Sequence, residues 1–329
     1  MTYNDLNEIL LVQALNKYLE MVSMSRSQNT FRTYSNAISM FSQILIESKI
    51  DLKSFLAKDF SEDYIIPMVN ALNAYSPSTE QCYLTAIMGF YEFLAGENMS
   101  DINLPRVRLL IKQRSRRPGI RLPQFPRHEI EKMIGYALEL SSLDTSNEIE
   151  RLINLRDRAF LVTLADTGLR VHEACQLRRG DLDWNEGRAA IIGKGNRQAI
   201  IRFSKRSLRC IKDFLQTRAK LDGQSGKSLQ SLPIFARHDK ASGKSIKPIS
   251  TTTGRKIVSN RVKECLGESA IGSITPHSFR HYFVTTILIA SGNLKLAQEL
   301  ARHKNIAVTQ RYSHLADDEL DREYLEIFG

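Results

Sequence analysis

The sequence predicts a mainly α protein of two domains: an all-α N-terminal domain, and a mostly α C-terminal domain that carries a small antiparallel β-sheet. Three observations point there. Apolar residues recur at helical spacing through most of the first hundred positions. A stretch rich in proline and arginine interrupts that pattern over residues 105–126. Two β-like runs flank a single hairpin signal, Gly193-Lys194-Gly195-Asn196. The domains are therefore placed at 1–110 and 127–329, joined by a basic linker over 111–126.

Residues 7–25 put Leu10, Leu11, Ala14, Leu15, Tyr18 and Leu19 on one helical face. Asn29 or Thr30 offers a cap for a second helix, which buries Phe31, Tyr34, Ala37, Ile38, Phe41 and Leu45. A third helix is expected within 60–73. Ser76-Pro77-Ser78-Thr79 is a helix start, with a capping hydroxyl and then proline in the first turn; that helix runs through Tyr83, Ile87, Phe90, Tyr91 and Leu94 to Gly96. Residues 105–126 read as extended chain. Beyond them Arg127-His128-Glu129 opens a helix, 154–167 form a buried helix stopped by Gly168, and 171–177 are helical. Strands are expected at 188–192 and 198–203, and a helix at 205–219. Residues 222–250, rich in Gly, Ser and Lys, form a long loop with a short strand near Ile234-Phe235. Helices follow at 251–265, 276–291 and 293–302, and a short acidic tail closes the chain.

Apolar residues are 42% of the 329, enough for a core without staples. The net charge of +10 calls for an anionic partner, with nucleic acid first. Its distribution says more. Residues 1–105 hold 6 Lys and Arg against 12 Asp and Glu, and the remainder holds 40 against 24. Within 106–121 stand Arg106, Arg108, Lys112, Arg114, Arg116, Arg117 and Arg121 with no acid among them. Such a run is either a solvated linker or chain laid along phosphates. Cys82, Cys175, Cys210 and Cys265 form no close pair, which argues against a zinc site or a redox pair and fits reduced thiols in the cytoplasm. A signal pattern and an apolar run of membrane length are both absent from the sequence.

The chemistry-bearing positions are Arg170, Lys194, His277, Arg280, His303 and Tyr312. Thr275-Pro276 starts a helix on which His277 and Arg280, three apart, share a face beside the free N–H groups of its first turn, a setting that suits a phosphate. Two guanidiniums can bind the non-bridging oxygens of a phosphodiester and the charge of its pentacoordinate transition state. A lysine on a hairpin tip can protonate a leaving oxygen, and a histidine can exchange a proton with a tyrosine. Tyr312 is then the nucleophile. Ionising a tyrosine of pKa ~10 at neutral pH costs roughly 4 kcal/mol, which a neighbouring base or cation must offset. Taken singly, each of these residues has a plainer explanation: a helix cap for Arg170, an idle surface lysine at 194, a tyrosine at the core edge.

In combination they resemble the tyrosine recombinases of the phage integrase family. Thr167-Gly168-Leu169-Arg170 with Glu173 is similar to that family's first arginine motif, Gly193-Lys194-Gly195-Asn196 to its hairpin lysine, and His277-Ser278-Phe279-Arg280-His281 to its His-x-x-Arg box. His303 and Tyr312, nine apart, match its final block. The resemblance implies phosphate clamping by Arg170 and Arg280, general acid work by Lys194, proton transfer by His277, a phosphate hydrogen bond from His303, a 3′-phosphotyrosyl link at Tyr312, and a bracing role for Glu173. It implies no cofactor and no metal. Arg302 departs from the pattern, which has glycine there; an arginine either tightens the backbone or adds a phosphate contact. The first domain departs by its acidity, since the family grips DNA with its counterpart; Arg26, Arg32, Lys53 and Lys58 are candidates for a basic face.

The resemblance further implies an N-terminal core-binding domain and a C-terminal catalytic domain closing as a clamp on double-stranded DNA bearing a specific recombination site. Homotetramers would then act through a Holliday junction, with room for an accessory protein. The expected location is the cytoplasm, at the nucleoid. The chain starts almost at the helical domain, so a simple two-domain form is expected. A mobile-element integrase and a dimer-resolving recombinase both fit, the former being preferred. The rivals are a type IB topoisomerase-like DNA relaxer and a catalytically silent DNA-binding regulator. Leu315, Leu320, Tyr324, Leu325 and Phe328 give the tail a near-helical apolar spacing that suits docking on a neighbouring subunit.

Overall fold

The computed structural model describes residues 9–116, 126–193, 197–238, 246–303 and 305–310, together with 325 and 328. Its contacts gather into two compact units, Met1–Ile120 and Arg121–Gly329.

The first unit is helical: α1 (Leu11–Ser25), α2 (Gln28–Glu47), α3 (Ile65–Leu72), α4 (Pro77–Gly96) and α5 (Leu104–Arg114). Side-chain caps set the starts of α2, α4 and α5. Ser27 Oγ accepts from Thr30 N at 3.3 Å, so α2 begins slightly earlier than the Asn29 or Thr30 cap expected. Ser76 Oγ accepts from Thr79 N at 3.2 Å, with Pro77 in the first turn as the sequence indicates. Residues 60–73, expected as one helix, split into a 3₁₀ turn at Glu62–Tyr64 and then α3. The core joins Tyr18 from α1, Phe41 from α2, and Phe90 and Tyr91 from α4 around Phe60, with the Phe60 and Tyr91 ring centroids 5.4 Å apart. Each such ring, fully buried, stabilises the unit by about 1.5–3 kcal/mol.

The start of the segment expected as extended chain is helical instead, and its residues 117–125 lie outside the described residues. Residues 104–114 form α5, started by Asn103 Oδ1 accepting from Arg106 N at 3.0 Å and seated by buried Val107 and Leu110. Nor are its arginines all turned to solvent. Arg106 pairs with Glu62 at 3.0 Å and Asp63 at 2.7 Å, and Arg108 with Glu92 at 2.9 Å. Arg116 donates from Nε to the buried Glu80 carboxylate at 2.8 Å and from its guanidinium to the carbonyls of Leu72 and Tyr75. These three cations answer acids of their own unit. Lys112 and Arg114 are exposed. Arg117 and Arg121 lie outside the described residues.

The second unit contains α6 (Arg127–Glu139), α7 (Glu148–Thr167), α8 (Val171–Gln176), strands β1 (Leu182–Asp183), β2 (Arg188–Gly193) and β3 (Arg197–Arg202), then α9 (Lys205–Gly223), α10 (Thr251–Leu266), α11 (Pro276–Ser291), α12 (Leu294–Ala301) and α13 (Ile306–Gln310). Helix α7 is its buried centre, packed by α6, α9 and α11. It starts at Glu148, earlier than residue 154, because Asn147 Oδ1 caps it by accepting from Glu150 N at 2.9 Å. The sheet is antiparallel in the order β1-β2-β3, with Ala190 opposite Ile200. No strand forms at Ile234-Phe235 among the described residues. Isolated bridges join Arg178 to Pro233 and Ala236 to Pro248, because the flanking prolines supply no N–H to extend a ladder. Arg218, fully buried, pins this segment by donating to the carbonyls of Pro233 and Ile234 at 2.7 and 2.8 Å and to Asp222 at 2.8 Å.

Candidate active site

The site begins where α7 ends. Gly168 adopts φ +58°, and a Cβ there would collide with the Phe283 ring, so both backbone and packing require glycine. The turn delivers Arg170 to the head of α8. Glu173, in the first turn of α8 and almost fully buried, accepts from Arg170 N at 2.9 Å and from its Nη1 at 3.0 Å. That pairing fixes the arginine while leaving its side chain 39% exposed toward solvent. Close by, Gly254 on α10 lets that helix approach Val171, Phe160 and Cys175, where a Cβ would come within 2.9–3.1 Å of all three.

Helix α11 supplies His277 and Arg280 from its first turns. Pro276 opens the helix, and Thr275 N donates to Ser278 Oγ at 3.0 Å. Arg280 is 3% exposed and donates to the carbonyls of Gly168 and Ala301, tying the ends of α7 and α12 together. His303 follows α12. Its Nδ1 lies 2.9 Å from Thr309 Oγ1, and Thr309 is fully buried on α13.

Arg170, His277 and Arg280 line one cavity of about 480 Å³. His172, Arg255 and Ser259 line it too. Sequence reading passed over these three, since no motif marks them; only their place beside Arg170 and on the α10 face reveals them. His281 was legible as part of the His-x-x-Arg box, but not that its ring meets that of His277 edge-on at 4.3 Å. Lys194 and Tyr312 lie outside the described residues. Strands β2 and β3 bracket the first, and α13 ends two residues before the second.

The electrostatics are those of a crowded cationic pocket. Loss of water lowers the pKa of His277, with Arg280 and Arg170 adding to it. The same causes, burial first and then Arg280, Arg170 and the neighbouring histidines, hold His303 down at about 4. His281 is also held at about 4, by burial and then by His277 and Arg280. All three rings are therefore neutral at pH 7. Glu173 is the counterweight. Burial works to raise its pKa, but the charge of Arg302, the backbone N–H of Arg170 and the Arg170 guanidinium outweigh it, so the carboxyl sits below its usual range. Among the described residues no group of three or more His, Cys, Asp or Glu gathers to hold a metal.

Arg302 occupies the C-terminal cap of α12 with φ +58° and ψ +42°, the left-handed region where glycine is at ease. A non-glycine residue there costs about 1–2 kcal/mol. Its guanidinium turns back to Glu173 Oε2 at 3.2 Å and to the Gly168 carbonyl at 3.4 Å.

A family model described as the phage integrase family matches residues 128–319, more than half of the chain. The chain belongs to the phage integrase family. It is a tyrosine site-specific recombinase. Tyrosine recombinase XerC of Staphylococcus carnosus (strain TM300) is 27% identical over 314 residues, covering 94% of each chain. Among solved structures, the XerH site-specific recombinase bound to a palindromic difH substrate is similar with a TM-score of 0.67 at 17% identity, over 95% of this chain and 94% of that one. A lambda integrase tetramer bound to a Holliday junction is similar with a TM-score of 0.61 at 17% identity, over 93% of this chain and 78% of that one. At such identities the likeness is one of fold. No helix among the described residues is long and apolar enough to cross a membrane.

Proposed function

We propose that this recombinase cuts duplex DNA at a specific site through a 3′-phosphotyrosyl bond to Tyr312, and exchanges strands as a homotetramer through a Holliday junction. The observation that carries the reading is the convergence of Arg170, His277 and Arg280 on one cavity, braced by Glu173 and flanked by His303. In the first step the Tyr312 oxygen attacks phosphorus, the bond to the 5′-oxygen breaks, and Lys194 protonates that oxygen. Arg170 and Arg280 hold the non-bridging oxygens and the charge that grows on them. His277, neutral at pH 7, takes the phenolic proton. If the Thr309 hydroxyl donates to His303 Nδ1, the Nε2 of that ring keeps its proton and can donate it to the phosphate. The ester stores the energy of the broken bond, so rejoining is the same path reversed.

The full-length likeness to a XerC recombinase supports a dimer-resolving role over the mobile-element role preferred from sequence. Leu325 and Phe328 are largely exposed and present apolar surface from the tail, consistent with docking on a neighbouring subunit. The protein would work in the cytoplasm on the nucleoid, with an accessory protein as a further partner.

The test is to incubate the protein with fragmented genomic DNA of its host, trap covalent adducts and sequence them. Adducts at one chromosomal site support dimer resolution, and adducts at the ends of a mobile element support integration. Relaxation of plasmids that lack any recovered site would favour the topoisomerase-like rival. DNA retention without any adduct would favour the silent regulator.

A further inference from the structure

Arg302 stands where the family pattern has glycine, in a backbone conformation that favours glycine, so the side chain is kept despite its strain. Its guanidinium is not turned out to solvent: the side chain is 13% exposed, and its Nη2 lies 3.2 Å from Glu173 Oε2. That same oxygen accepts from Arg170 N at 2.9 Å, while Glu173 Oε1 takes the Arg170 Nη1 at 3.0 Å. Arg302 also reaches the Gly168 carbonyl, which accepts from Arg280, and the residue just before it, Ala301, gives Arg280 its other carbonyl. One carboxylate and one carbonyl thus connect three guanidiniums.

We infer that Arg302 is a positioning residue of the recombination reaction: by sharing Glu173 with Arg170 it holds that carboxylate ionised and in place, and leaves more of the Arg170 charge for the scissile phosphate. Within this linked set, three guanidiniums against one carboxylate leave two net positive charges, where a glycine at 302 would leave one, and Arg255 on the cavity wall adds a further cation in either case. A phosphodiester carries one negative charge and its pentacoordinate transition state two. The extra cation therefore adds to the positive field just where negative charge grows as the reaction proceeds. Arg302 does this through Glu173 and Arg170 without touching the phosphate itself. The inference rests on the proposed phosphotyrosyl chemistry for its kinetic consequence, but not for its effect on Glu173.

Two measurements test it. The first follows the Glu173 carboxyl by ¹³C NMR titration in the free protein, for the natural sequence, Arg302→Gly and Arg302→Lys. The Arg302→Gly variant relieves the backbone strain, so it should fold at least as well. Its Glu173 carboxyl should titrate at higher pH, with Arg302→Lys between the two. An unshifted Glu173 overturns the inference. The second follows adduct yield against pH on fragmented host genomic DNA, beside total DNA retained. Arg302→Gly should retain DNA within about twofold, form adduct on the order of tenfold to a hundredfold more slowly, and lose activity at a higher pH on the acid side. Arg302→Lys should recover part of the rate. If Arg302→Gly weakens retention in proportion to its loss of adduct, Arg302 is a DNA ligand and the inference fails. If the natural sequence forms no adduct through Tyr312, the proposed chemistry fails, and the NMR titration still decides the role of Arg302.

Discussion

Arg280 makes the residue-scale logic plain. An arginine buried to 3% exposure would be costly without partners, and it has the carbonyls that end α7 and α12. Burial first, and then its charge, lower the pKa of His277, His281 and His303. The consequence is a pH dependence of stability. His281 and His303 have ordinary values of 6.5 and are held at about 4 in the folded chain. As pH falls below about 6.5, the unfolded chain takes up protons that the folded chain refuses, so stability is full above 6.5 and declines toward pH 4. Calorimetry should show this decline, and His281→Gln should remove about 1–3 kcal/mol of it. An identical decline in His281→Gln would show that the ring is not the group responsible. At this scale the sequence made Arg170, His277, Arg280 and His303 legible, because motif and spacing carry them. The partner of Arg302 was not legible. The contacts that turn it inward join residues as far as 134 positions apart, and no local pattern encodes such a pairing.

Among elements, the legible ones were those that announce their ends. Ser76-Pro77 and Thr275-Pro276 start helices as their capping chemistry requires, and Gly168 stops α7. Helix α5 was missed because seven cations over 106–121 masked the three- and four-residue spacing of Val107, Leu110 and Ile111. Two of its arginines, Arg106 and Arg108, look outward in sequence and pair with acids 16 to 44 residues away. The turn after α7 is the element on which the site depends most. Replacing Gly168 with alanine forces a left-handed alanine and a collision with Phe283, and should destabilise the second unit by about 2–4 kcal/mol in a denaturant titration. It should also displace the carbonyl that receives Arg280 and Arg302, lowering adduct formation beyond the loss of stability. A variant as stable as the natural sequence would show that the turn has room the structure does not give it.

For the whole molecule, charge is distributed by task. Residues 1–105 are acidic in sum, Arg106, Arg108 and Arg116 of the same unit pair with some of those acids, and the rest of the chain carries the surplus of cations. DNA binding should therefore weaken steeply with salt, with a log–log slope near 0.9 per phosphate neutralised. Replacing Arg106 or Arg108, already paired, should leave that slope nearly unchanged, whereas neutralising Lys112 and Arg114 together should reduce it. A slope that falls by about one on loss of Arg106 would show that its ion pairs open on DNA. The central functional claim is that Tyr312 is the nucleophile. The most direct measurement is mass spectrometry of the protease-digested covalent complex, formed with fragmented host genomic DNA by the natural sequence and by Tyr312→Phe. A nucleotide attached to the peptide containing Tyr312, and lost in Tyr312→Phe while DNA retention is unchanged, is the predicted result. An adduct that persists in Tyr312→Phe, or that maps to another residue, would contradict it.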